Sequence, residues 1–301
     1  MRPILVTGGG GQLASALVAL GGSRVVRVGR PEFDLEREET IGAVFSRVGP
    51  GLVVNAAAWT AVDAAEGEPE AAMRANCGGP GELARLCGAA GVPMVHVSTD
   101  YVFDGLKGAP YVETDVTDPG AVYGVTKLAG EVAVMAGAPM SVVLRTSWVY
   151  SAVGKNFVRT MLGAAAKVDR LRVVADQVGC PTSASHLAAA ILAMAERIGA
   201  GWRSEYGGVF HAAGTGSVSW HGLAEAVFAE SGRLGGRVPV VEAIGTADWP
   251  TPARRPPDSR LDCGKLERVF GVRLPAWREG VADVVGELMG AGPGRVTASP
   301  G

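Results

Sequence analysis

Seven residues near the N-terminus, Gly8-Gly9-Gly10-Gly11-Gln12-Leu13-Ala14, constrain the fold of this chain more than any other stretch. The short apolar run Pro3 to Thr7 leads into them, and a helical pattern from Gln12 to Leu20 leads out. The combination predicts strand, tight turn and helix. The turn satisfies Gly-x-Gly-x-x-Ala from Gly9 and Gly-x-x-Gly-x-x-Ala from Gly8. Glycines let a backbone approach a pyrophosphate, and a helix N-terminus then holds the anion. A glycine fingerprint gains meaning from the strand before it and the helix after it, and both are present. Gly8, Gly11, Gln12 and Leu13 are therefore candidate dinucleotide contacts.

The chain after this turn alternates in the way a doubly wound sheet requires. Arg24 to Val28 reads as a second strand with Gly29-Arg30 at its tip. An acidic residue at that tip suits the ribose hydroxyls of NADH, whereas an arginine suits a 2′-phosphate, so the tip favours NADPH and leaves NADH possible. Asp34-Leu35 follows in a loop where an adenine can rest. Leu52 to Asn55 reads as a third strand that continues into Ala56-Ala57-Ala58-Trp59-Thr60, small residues that let a cofactor pass. Ala57, Ala58 and Thr60 join the candidate contacts. A helical region from about Glu68 to Ala90 contains Gly78-Gly79-Pro80, which predicts a kink or break. Met94 to Ser98 is a fourth strand ending in Ser98-Thr99-Asp100-Tyr101, with Val97 a further cofactor candidate. Polar residues at the carboxyl end of a parallel strand are where open α/β sheets place ligands. A turn-rich loop then runs to Pro119, and Ser141 to Thr146 is a fifth strand ending in Ser147-Trp148.

This pattern predicts an α/β chain with a parallel doubly wound sheet. Residues 1–150 form its core. Segments at about 171–212 are expected to return to it, including strands at 171–175 and 209–212. A smaller lobe at 151–290 is expected to bind substrate, with helices at 187–197 and 220–230 and a proline-rich loop at 250–257. The Gly/Pro/Ser-rich stretch 291–301 reads as a disordered tail. The formal net charge of −2 over 301 residues gives no basic excess for nucleic acid. Four scattered cysteines with no Cys-x-x-Cys pair argue against zinc or disulfides and for reduced thiols in a cytoplasm. The chain holds no apolar run long enough to span a membrane and enters a strand at once, leaving no room for a signal peptide.

Tyr123-Gly-Val-Thr-Lys127 supplies the chemistry. Residues four apart share a helix face, and Asp118 and Pro119 read as the N-cap and first turn of that helix. A free tyrosine has a pKa of about 10, and a nearby ammonium favours the phenolate and lowers that value. The pair is thus a candidate acid/base, with Thr99 at the neighbouring strand end.

These segments resemble extended short-chain dehydrogenase/reductases, and more narrowly the dTDP-4-dehydrorhamnose reductase family. The resemblance runs through Gly11-Gln12-Leu13, Asn55 to Asp63, Ser98 to Phe103, Tyr123 to Glu131, Arg145 to Tyr150, Asn156-Phe157, Asp176 to Thr182 and Arg255-Pro256. It implies a Rossmann-type sheet, NADPH, and reduction of the C4 keto group of a nucleotide-linked 4-keto-6-deoxyhexose such as dTDP-4-dehydrorhamnose. It implies that Tyr123 protonates the developing alkoxide. Lys127 would lower the Tyr123 pKa and hold the nicotinamide ribose, and Thr99 would hydrogen-bond the carbonyl. Asp100 and Trp148 would face the sugar. Arg145 is left out of the site because it reads equally well as a buried partner for a core carboxylate. Some relatives are magnesium-linked dimers using a glutamate in the first helix. Helix 12–20 has none, so a homodimer stays possible and no metal is carried over.

Two rival readings share the motifs. Nucleotide-sugar 4,6-dehydratases carry a glutamate after the Thr-Asp pair, where this chain has Tyr101. The regulatory subunit of methionine adenosyltransferase resembles the family but acts as a binding partner. Intact Thr99, Tyr123 and Lys127 favour an enzyme.

Overall fold

A computed structural model describes residues 2–290. The chain opens with β1 (Ile4–Thr7), α1 (Gln12–Gly21), β2 (Val25–Arg27), α2 (Glu38–Val48) and β3 (Leu52–Asn55). Two short helices, α3 (Val62–Gly67) and α4 (Pro69–Met73), lead through a π-helical turn at Arg74–Gly78 into α5 (Gly79–Ala90). Then come β4 (Met94–Thr99), α6 (Val122–Gly137), β5 (Ser141–Thr146) and β6 (Val149–Tyr150). The remainder is α7 (Phe157–Ala165), β7 (Arg170–Val174), β8 (Val178–Gly179), β9 (Thr182–Ser183), α8 (Ala184–Ala200) and β10 (Gly208–His211). It ends with β11 (Val218–Ser219), α9 (Trp220–Arg233), β12 (Val240–Ile244), α10 (Gly264–Phe270) and α11 (Trp277–Leu288).

Six strands form one parallel sheet in the order β10-β5-β4-β3-β1-β2. Strands covered on both faces read as continuous apolar runs, and every residue of β3 and β5 is buried. One face packs a core of Val6, Val54, Val95 and Leu144 against Leu13 and Leu17 of α1 and Leu187 and Ile191 of α8. The other packs Leu5, Val53, Met94 and Val143 against Ile41 of α2, Leu83 of α5 and Val134 of α6. A third core joins α7, α9 and α11 in the C-terminal half.

Three sequence expectations change. The strand expected at 171–175 does not return to the central sheet, because β10 already pairs with β5 there. Instead β7 pairs with β12, and it is buried at only one position. The helix through Gly78-Gly79-Pro80, expected to kink or break, does not break, and its irregularity takes the form of a π turn. Both glycines keep right-handed helical angles, and Pro80 falls in the first turn of α5 where its missing N–H is tolerated. The third concerns α6, which starts at Val122 rather than at Asp118. Its Val122 N–H is capped from a distance by Glu66 Oε1 at 2.9 Å, while Asp118 N–H donates to the Val102 carbonyl at 3.0 Å. The stretch 291–301 lies outside the described residues.

Candidate active site

The carboxyl ends of β1, β3 and β4 lie side by side, and three of the candidate segments sit on them. The glycine turn is closely packed from below. Gly8 has φ +108°, and a Cβ there would lie 2.9 Å from the Ala56 carbonyl oxygen. A Cβ on Gly29 would lie 2.5 Å from Gly9 Cα, so only glycine lets the tips of β1 and β2 meet. The other side is open: a Cβ on Gly10 would meet nothing within 4 Å. Gly11 begins α1 with no side-chain cap, and the first turn carries no acidic residue. Uncapped N–H groups and the helix dipole there fit a pyrophosphate.

The side chains around the turn divide into open and committed ones. Arg30 and Thr60 are exposed, and Ala57 and Ala58 are half-buried. Gln12 is committed to the C-terminal lobe: its Oε1 accepts from Ser151 Oγ at 2.9 Å and from Asn156 Nδ2 at 3.0 Å. Leu13 and Leu35 are buried in the two sheet cores. Asp34 folds back to accept the Glu36 N–H at 3.1 Å. Below Ala57, a buried chain fixes the floor. Thr7 Oγ1 accepts the Ala57 N–H at 3.1 Å and donates to Asn55 Oδ1 at 2.5 Å. Asn55 Nδ2 lies 3.0 Å from His96 Nδ1, and burial holds His96 well below its ordinary pKa, so the ring is neutral and accepts there.

Thr99, Tyr123 and Lys127 come together where β4 meets α6. Thr99 Oγ1 donates to Asp100 Oδ1 at 3.0 Å and accepts the Tyr101 N–H at 3.2 Å. Tyr123 stands edge-on to Tyr101, with ring centroids 5.6 Å apart at 75°. Lys127 is buried, and its Nζ donates to the Val97 carbonyl at 2.6 Å. The expectation that Lys127 pulls the Tyr123 pKa down is overturned. Burial pushes Tyr123 up to about 12, opposed by a hydrogen bond with Thr99 and aided by the Asp100 charge. Burial also pushes Lys127 down to about 8, opposed by Glu131. Desolvation is the largest effect on both, and for Lys127 it outweighs the opposing charge of Glu131.

Asp100 and Trp148 are placed differently from each other. Asp100 is 2% exposed and does not face open space. Its carboxylate accepts from Thr99, from Ser147 Oγ at 3.0 Å and from Ser259, while burial pushes its pKa up to about 6. Trp148 is half-buried, with φ +47°. Its ring stacks on Trp220, centroids 3.4 Å apart at 6°, and Phe157 packs on the far partner at 4.7 Å. A Cβ on Gly179 would lie 2.5 Å from the Trp148 ring, so Gly179 makes room for it.

Sequence reasoning missed several residues that hold this arrangement. Asn76, on the π turn, accepts the Trp59 N–H at 2.8 Å and donates to the Trp59 carbonyl at 3.2 Å and to Thr126 at 3.0 Å. It thereby fastens the strand-β3 loop to α6 between Tyr123 and Lys127. Arg145, read as a possible core partner, forks onto Glu131 at 2.9 and 2.7 Å. Glu66 and the pair Asp63–Arg255 carried no signal in the sequence beyond lying in or near the motifs.

Residues 1–289 match the family described as the RmlD substrate binding domain. The dTDP-4-dehydrorhamnose reductase of Sinorhizobium fredii is 46% identical over 288 residues, covering 95% of this chain and 97% of that relative. Among solved structures, a dTDP-4-dehydrorhamnose reductase from Clostridium acetobutylicum superposes with a TM-score of 0.88 at 35% identity, covering 95% of this chain and 99% of the other. That of Bacillus anthracis, in complex with NADP, superposes at 0.86 and 29% identity over the same shares. On a family match across nearly its whole length and a relative at this identity, the chain belongs to the RmlD substrate binding domain family.

Proposed function

We propose that the protein reduces the C4 keto group of dTDP-4-dehydrorhamnose with NADPH, giving dTDP-rhamnose. The observation that carries the reading is the meeting of Thr99, Tyr123 and Lys127 at the carboxyl edge of the sheet, two strands from an uncapped glycine turn, in a chain of this family. Gly8, Gly11, the start of α1 and Arg30 would hold the dinucleotide, with Ala57, Ala58 and Val97 along its path. The bound cofactor supplies the hydride that reduces the carbonyl carbon.

The chain's own groups then handle the oxygen and the proton. With its pKa raised to about 12, Tyr123 is fully protonated at neutral pH, the state a proton donor needs. It delivers that proton to the alkoxide oxygen as charge develops there. The Thr99 hydroxyl, released from Asp100, donates a hydrogen bond to the same oxygen. Lys127, one turn from Tyr123, holds the nicotinamide ribose. Asp100 acts from beneath by orienting Thr99 and Ser147. The stacked Trp148 and Trp220 present an apolar wall to the sugar, and residues after 150 carry most of the nucleotide site. A cytoplasmic setting and a possible homodimer belong to the same reading. Free thiols among the described residues support the former, and light scattering tests the latter.

The test is NADPH oxidation with dTDP-4-dehydrorhamnose, with the product identified by chromatography. Stoichiometric dTDP-rhamnose supports the reading. Tight binding of both compounds with no turnover contradicts it and points to a regulatory protein.

A further inference from the structure

Beneath Lys127 lies a buried charge cluster to which the reaction as described gives no part. Glu131 is one turn beyond Lys127 on the same face of α6 and is 1% exposed. Ser98 Oγ donates to its Oε1 at 2.6 Å, and Arg145 grips both oxygens with Nε and Nη2. Arg145 is itself buried, lies 5.1 Å over the Phe103 ring and leaves Nη1 without a partner among the described residues. The groups facing Lys127 are few. Its own helix offers Tyr123 and Glu131, β4 offers neutral His96 and the Val97 carbonyl, and β5 offers Arg145 behind Glu131.

A buried ammonium held by one neutral carbonyl tends to lose its proton. Glu131 is the nearest carboxylate along the helix face, and its attraction opposes that loss. The hydrogen bonds from Ser98 and Arg145 fix where its charge sits. We infer that Glu131 is a positioning residue for the reduction, the counter-charge that keeps Lys127 an ammonium at neutral pH, and that Arg145 sets how much of that charge Lys127 feels. This rests on the role given to Lys127 above.

The test is the pH dependence of NADPH affinity and of kcat/KM. In Glu131→Gln the alkaline limb belonging to Lys127 moves to lower pH by roughly one unit, so NADPH binding at pH 8 weakens several-fold while binding at pH 6 changes little. In Arg145→Gln the limb moves the other way, and Glu131→Asp returns it toward the wild-type position. Should Glu131→Gln fail to fold, because Arg145 is left unpaired, Glu131→Gln/Arg145→Met removes both charges at similar volume. Its limb must still lie below that of the wild type, because the Glu131 charge is the one that opposes the loss of the Lys127 proton. Activity lowered equally at every pH, with the limb fixed, would mean a purely structural ion pair and overturn the inference. Lys127→Met separates the two levels. If it binds NADPH like the wild type at every pH, the role of Lys127 fails. If it abolishes the limb while Glu131→Gln leaves the limb in place, only the inference about Glu131 fails.

Discussion

Arg255 closes on Asp63 with both terminal nitrogens, each 2.8 Å from a carboxylate oxygen, across 192 residues of chain. Asp63 also accepts the Ala253 N–H at 3.2 Å. Three residues further along the same short helix, Glu66 caps α6. One segment after β3 therefore holds both the proline-rich lobe loop and the helix that carries Tyr123.

The Asp63–Arg255 pair is part exposed, so its contribution is modest, about 1 kcal/mol. Removing it by Arg255→Met should lower Tm by about 2 °C. The hydrogen bonds from Arg255 hold the Asp63 pKa below its ordinary value. A depressed folded-state pKa gives stability that is present above the unfolded value near 4 and lost as pH falls through the folded one. A double-mutant cycle with Asp63→Asn, run at pH 7, should return a coupling near 1 kcal/mol. Zero coupling would show that the contact holds nothing.

Asp100 behaves in the opposite sense. Its folded pKa is raised to about 6 by burial, so its contribution is most favourable below the unfolded value near 4 and is lost as pH rises through 6. A shift of about two units corresponds to about 3 kcal/mol. Urea unfolding of the wild type should show this decline between pH 4 and 7, and Asp100→Asn should flatten it while lowering kcat through a misplaced Thr99. An unchanged pH profile in Asp100→Asn would contradict the assignment.

Arg30, exposed at the tip of β2, predicts tighter binding of NADPH than of NADH. Arg30→Asp should weaken NADPH by about tenfold, near 1.4 kcal/mol, and shift preference toward NADH. Equal affinities in the wild type, or no shift in the variant, would count against it.

Helix α1 contains no glutamate, so EDTA treatment should leave kcat and oligomeric state unchanged. A magnesium requirement in dialysed protein would show that other carboxylates recruit the metal.

Much of this was legible because local signals and the fold agreed. The apolar runs at Leu52–Asn55 and Ser141–Thr146 became strands at those bounds, since buried parallel strands have no polar face to blur them. The glycine turn was legible because Gly8 and Gly9 take positive φ and a Cβ on Gly11 would crowd the Gly8 carbonyl. Three-dimensional consequences were not. Nothing in a single sequence says that Gly78-Gly79 is absorbed by a π turn, or that this turn aims Asn76 at the Trp59 backbone. Glu131 stood within a recognised motif, at helical spacing from Lys127, but its Arg145 and Ser98 partners come from other strands. The Tyr123 pKa was misread for the same reason: spacing along a helix places Lys127 one turn away but does not reveal the depth of burial that raises the tyrosine.

The central claim is that Tyr123 donates the proton. Tyr123→Phe keeps the ring and removes only the hydroxyl. Single-turnover reduction of dTDP-4-dehydrorhamnose by NADPH in this variant should slow by about 10²–10⁴-fold, with kcat and kcat/KM falling together and NADPH affinity retained. Reduction at the wild-type rate would mean that the proton comes from elsewhere and that the proposed mechanism is wrong.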